Sequence, residues 1–192
     1  MPSKSLLERG FKSKAEKIAE EYRAELGISK FDALDAFALA EHLNVSVFTV
    51  DDAFDDKSSP HYISMSDTTK FSAMWMPNED GDKIIIHNAN HSKYRQQSNV
   101  MHELAHIIRG HKVPEAHAKL CAQYNLHYFN TLHEQEAKHL GGCLQITTPG
   151  LLWALKRFTE DQISEYYCAS IEMVKYRIGV SGANRIRTYQ NK

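Results

Sequence analysis

His102-Glu103-Leu104-Ala105-His106 is the stretch whose reading decides the fold. It has the spacing H-E-x-x-H. On an α-helix, residues four apart lie nearly above one another, so both imidazoles can grip one ion from the same face. The intervening Glu103 then stands beside that ion. Zinc lowers the pKa of a bound water from about 15.7 to about 7, and a neighbouring carboxylate can take the proton. The set His102, Glu103 and His106 is therefore apparatus for hydrolysing a peptide bond, with Glu103 as the catalytic base. Shuffling this composition yields roughly 0.04 such motifs per chain, so the context must decide. Val100, Met101, Leu104, Ala105, Ile107 and Ile108 surround the motif, as in a largely buried helix. Buried His and Glu need partners, and a metal supplies them. Gly110 is placed to end the helix.

A catalytic zinc takes three protein ligands and keeps one open position. His111 lies five residues past His106, about 140° around a continuing helix, and beyond Gly110. The longer motif with Gly and His three and six residues on is absent, because Arg109 and Lys112 stand there. A second helix must supply the ligand. In His133-Glu134-Gln135-Glu136-Ala137-Lys138-His139-Leu140-Gly141-Gly142, Glu134, Ala137 and Gly141 share one face, and small residues let helices approach closely. Glu134 is preferred to the other candidates. Glu136 sits about 200° from it and is expected to point away. Two glycines inside a helix cost about 1 kcal/mol each relative to Ala and call for a packing reason. Tyr94, His117 and Tyr128 are candidates for the shell around the ion or for stabilising an oxyanion, and nothing in the sequence chooses among them.

Around this centre the order is helices, strands, helices, which argues for an α+β fold. Phe11, Ala15, Ile18, Ala19, Tyr22 and Leu26 line one helical face, with Gly27 at the cap. A second helix is expected over about residues 32–42, and a strand over Val45 to Val50. Asp51 to Asp56 reads as an acidic turn, and residues 57–61 as loop. Phe71 to Met76 and Lys83 to His87 read as a hairpin, and the unbroken Ile84-Ile85-Ile86 suggests a strand covered on both faces. A helix is expected from about Glu115. Another runs from Thr131 to Leu144, is broken by Thr148-Pro149-Gly150, and is followed by three short helices to about Gly179. Residues 162–178 have the outline of a helix-turn-helix. The segment 172–192 carries net charge +4, which allows weak phosphate contact. Short packing helices with a solvated tail are the preferred reading.

The whole chain has 192 residues, formal net charge −1 and 42% hydrophobic residues. This balance lacks a polyanion-binding signature, so no strong nucleic-acid binding is expected. No apolar run approaches the roughly 20 residues of a membrane span. The polar, basic start reads as no secretory signal. Cys121, Cys143 and Cys168 are odd in number and widely spaced, which fits a reducing cytoplasm.

With these residues in place, the chain resembles the ImmA/IrrE family of zinc metallopeptidases. His102-Glu103-Leu104-Ala105-His106 is similar to the family's first signature. Glu134-x-x-Ala137 followed by Leu140-Gly141-Gly142-Cys143-Leu144 is similar to its second. Ile84 to Asn88, His91-Ser92 and Arg95-Gln96 resemble the strand and loop leading into its zinc helix, and Ala40-x-x-Leu43-Asn44-Val45 its N-terminal helix and first strand. The resemblance implies a zincin-like core over residues 1–148 and a helix-turn-helix-like extension over 149–192. It implies Zn2+ held by His102, His106 and Glu134, and cleavage of helix-turn-helix repressors of phage, mobile elements or stress regulons. Two positions depart from the family: Lys138 stands where Asn or Asp is usual, and Thr147 where Pro is usual. Loss of a second-neighbour partner costs roughly 10–100-fold in metal affinity or activity, so low or conditional activity is expected. The alternatives are a non-catalytic binding module for a regulator and a DNA-binding regulator using the C-terminal helices.

Overall fold

The computed structural model describes residues 6–78, 80–111 and 130–183. Two helices come first: α1 (Phe11–Glu25) and α2 (Ala36–His42). The latter starts later than expected, because the Asp35 side chain accepts from the Phe37 and Ala38 N–H groups and caps it there. Strand β1 (Ser46–Thr49) is shorter than expected. Thr49 ends it by forming a reciprocal capping box with Asp52, which turns the expected acidic loop into the one-turn helix α3 (Val50–Ala53). Part of the expected loop 57–61 is helical too: Ser59 caps α4 (Pro60–Ser66), and Pro60 tolerates the first turn.

Strands β2 (Ala73–Pro77) and β3 (Lys83–His87) form the expected hairpin, with Trp75 opposite Ile85. The sheet order is β1-β3-β2, with β1 parallel to β3. Central β3 is covered on both faces. Ile85 joins the main core, while Ile86 packs with Val50, Phe71 and Met74 on the opposite side. Because successive side chains alternate across a strand, Ile85 and Ile86 serve opposite faces, while Ile84 is half-buried.

Helix α5 (Lys93–Arg109) lies across the inner face. Its neighbour is α6 (Thr131–Gln145), capped by the Asn130 side chain. Met101, Leu104, Ala137, Leu140 and Leu144 are buried in the core between the elements, each large one worth about 1.5–3 kcal/mol. The paired glycines have distinct reasons. A Cβ on Gly141 would stand 3.3 Å from the Met101 carbonyl oxygen and 3.4 Å from His102 Cα. On Gly142 it would meet Arg177 Cδ at 2.9 Å. Gly141 thus sets the approach of α6 to the motif helix, and Gly142 admits the next layer.

Helix α6 stops at Ile146, whose backbone is extended. Thr148-Pro149-Gly150 does not break it but forms the first turn of α7 (Thr148–Ala154), capped by Thr147. Thr147 also donates its hydroxyl to the Lys30 carbonyl at 2.6 Å. Helices α8 (Glu160–Tyr166) and α9 (Ile171–Ser181) follow. Leu151, Ile163, Tyr167 and Val174 form a second apolar cluster among them. The two cores are tied by arginines. Arg23 donates to the Leu144 and Gln145 carbonyls at the end of α6, at 2.7 and 3.1 Å. Arg177 donates to the Ile146 carbonyl at 2.8 Å and pairs with Glu16. Among the described residues, no helix is long and apolar enough to cross a membrane.

Candidate metal centre

The i, i+4 spacing on α5 aims His102 and His106 at one point, and the close contact of α6 brings Glu134 to it. His102 Nε2 lies 3.2 Å from His106 Nε2 and 3.1 Å from Glu134 Oε2. Glu134 Oε1 lies 3.4 Å from His106 Nε2. Among the described residues this is the one group of three His, Cys, Asp or Glu that could hold a metal ion. A tetrahedral ion about 2.0–2.1 Å from each donor sets the donors about 3.3–3.4 Å apart. The nitrogen–nitrogen separation and the two nitrogen–oxygen separations, which run to different oxygens of Glu134, lie within a few tenths of an ångström of this value, so the donor set suits a zinc-sized ion. Two nitrogens and one carboxylate also suit zinc. Hydrogen bonding to His102 holds the Glu134 carboxyl well below the usual carboxylate range.

Glu103 stands on the same helix beside this group without joining it. Its Oε2 accepts the backbone N–H of Trp75 at 3.1 Å. Strand β2 is at the sheet edge, and this N–H turns to α5. Burial pushes the Glu103 carboxyl up to about 7, against the opposing pull of His106 and the Trp75 N–H. A carboxyl poised near neutrality beside a metal-sized gap has the character of a general base. Trp75 was not singled out by sequence, since a backbone donor leaves no side-chain signal.

Glu136 points away from this group, as expected, and is buried against the end of α5. It accepts from Arg109 Nε at 2.9 Å and contacts His111 Nε2 at 3.0 Å. His111 was set aside as a ligand because it lies beyond Gly110, and Gly110 does end the helix. Gly110 is left-handed at φ 67°, and the His111 N–H returns to the His106 carbonyl at 3.0 Å. That reversal places His111 Nδ1 3.0 Å from His106 Nδ1. His133 stacks on the His111 ring, centroids 4.1 Å apart.

Of the remaining candidates, Tyr94 stands apart from this group. It is on the first turn of α5, about 12 Å along the axis from His102, with the Lys93 ammonium over its ring. His117 and Tyr128 lie outside the described residues, as do the helix expected from Glu115 and the tail beyond Ala183. Lys138 places its ammonium 4.8 Å from the Tyr176 ring centre. Within the helix-turn-helix outline, Arg177 is fully buried and spent on Ile146, Cys143, Glu16 and Thr148.

The sequence model Peptidase_M78, described as IrrE N-terminal-like domain, matches residues 40–179. No curated protein sequence matches. Among solved structures, the fold is similar to a Mycobacterium tuberculosis transcriptional regulator, with TM-score 0.50 and 14% identity over 89% of this chain. The chain spans about half, 47%, of that protein's length.

Proposed function

The chain belongs to the peptidase family defined by the IrrE N-terminal-like domain, and on that premise we propose that it is a zinc-dependent endopeptidase acting on a regulatory protein, a helix-turn-helix repressor. The observation that carries the reading is the convergence of His102, His106 and Glu134 at zinc-ligand separations, with Glu103 beside them. Zinc held there would acidify a water and polarise a carbonyl. Glu103 takes a proton from the attacking water and returns it to the departing amine. The Trp75 N–H holds the carboxylate aimed during both transfers. Glu134 stays ionised and supplies the negative charge that balances the cation.

The peptide class of substrate follows from this chemistry. The repressor is suggested by the family resemblance, and it accords with a transcriptional regulator of similar fold. A cleft of this kind takes extended chain, which folded domains offer at linkers and frayed ends. A cytoplasmic location suits such a target. The test is incubation of the zinc-loaded protein with a helix-turn-helix repressor, chosen from its gene neighbourhood where one is encoded there, and, separately, with casein. Cleavage of the repressor at one or few sites is expected, with casein left largely intact. Rapid casein digestion with an untouched repressor refutes the regulatory reading. Tight repressor binding without cleavage of either refutes the enzyme and leaves a binding module.

A further inference from the structure

We propose that His111 and Glu136 are positioning residues that fix the tautomer of His106 and so prepare it as a metal ligand. The inference rests on the metal-centre reading above. The contacts form one line: His106 Nδ1 to His111 Nδ1 at 3.0 Å, His111 Nε2 to Glu136 Oε2 at 3.0 Å, and Glu136 to Arg109 at 2.9 Å. His106, His111 and Glu136 are each less than 10% exposed, at 8%, 7% and 5%, so water does not substitute freely for these partners.

The protons can be assigned along this line. Glu136 is an acceptor held ionised beside Arg109, so His111 must present N–H at Nε2. A neutral His111 then carries its lone pair at Nδ1, which requires the donor to be His106 Nδ1–H. A neutral His106 with its proton at Nδ1 has its lone pair at Nε2, where the N–H of His102 Nε2, 3.2 Å from it and 3.1 Å from Glu134, stands between lone pair and carboxylate. The opposite arrangement points the His111 Nε2 lone pair at a carboxylate, with no proton between them. One buried negative charge thus selects the state of an imidazole two groups away. Metal-ligating His commonly gives its second N–H to a partner that orients it and raises its basicity. Here that partner comes from beyond the helix end, through the Gly110 reversal and the His133 stack. Lys138, turned toward Tyr176, supplies no such acceptor.

Two measurements test the proposal. Nitrogen–proton NMR of the imidazoles in metal-free protein, at a pH where they are neutral, reads the tautomer without any substitution. His106 is expected to carry its proton on Nδ1; a proton on Nε2 overturns the assignment. Zinc affinity is read by competition with a chromophoric chelator, with thermal melts taken in parallel. Glu136→Gln and His111→Phe are expected to lose about 10–100-fold in affinity. His111→Asn keeps an acceptor near the Nδ1 position and should stay closer to the unsubstituted protein. Unchanged affinity in both Glu136→Gln and His111→Phe overturns the role. Neither readout uses peptide cleavage: a protein whose affinity responds as stated but which cuts nothing leaves this inference standing and removes the endopeptidase.

Discussion

Glu103 and Glu134 face the same pair of imidazoles and are held in opposite ways. Glu134 accepts from His102 and stays ionised; Glu103 is dominated by burial and sits up to about 7. One suits a ligand and the other a base, and substitutions should separate the two. Glu134→Ala should lose most of about one zinc per chain in elemental analysis, because a two-His site lacks the third donor. Glu103→Gln should keep its zinc and its melting behaviour while cleavage of the repressor slows about 10²–10⁴-fold. If Glu103→Gln instead loses zinc in parallel with cleavage, Glu103 is a ligand and the assignment of base is wrong.

At the scale of elements, two glycines in the helical layers make opposite predictions. Gly142 faces Arg177, which is fully buried and held by several partners, so the 2.9 Å contact of an added Cβ is not easily relieved. Gly142→Ala should lower stability by about 1–3 kcal/mol in urea unfolding. Gly179 on α9 has nothing within 4 Å of its added Cβ and an ordinary backbone. Gly179→Ala should raise stability by about 0.4–1 kcal/mol, since the unfolded chain loses freedom and the folded one gains no clash. Equal effects from both substitutions would remove the account of α9 packing closely on α6. That packing also bears on nucleic acid, because the arginine of α9 is committed inward. A gel-shift titration should find only weak, salt-sensitive DNA binding, in the range of about 10⁻⁴–10⁻⁶ M. Nanomolar, sequence-specific retention at physiological salt would contradict it.

Across the whole molecule, the two apolar cores meet at a small polar junction. Glu16 on α1, Cys143 on α6, Thr148 on α7 and Arg177 on α9 share hydrogen bonds there. His139 lies beside it, near Phe11 and Tyr176. Burial, aided by the Arg177 charge, pulls the His139 imidazole from 6.5 down to about 4. Between those values the unfolded chain binds a proton that the folded chain refuses. Stability from this group is therefore complete above 6.5 and declines as pH falls toward 4. Urea midpoints measured across that window should fall with pH, and less steeply in His139→Asn. Parallel slopes in the two proteins would show that His139 is not responsible.

The pairing of His102 with His106 was legible in the sequence because it is local. Helical periodicity alone puts His102 and His106 on one face, and the Ile84-Ile85-Ile86 run announces a strand covered on both sides. Small residues at Ala137 and Gly141 marked the face of α6 that meets another helix. The inward turn of Glu136 and the return of His111 were not legible in this way. Gly110 marked where the helix ends, but not that the left-handed turn there would bring the His111 ring back to His106. Trp75 reaches Glu103 through its backbone, which every residue except proline carries, so no residue type advertised it. Local geometry thus determined which side chains share a helix face. Only tertiary structure decided which groups from other elements complete their hydrogen bonds, because those partners are chosen by chain reversal and the close approach of α5 and α6.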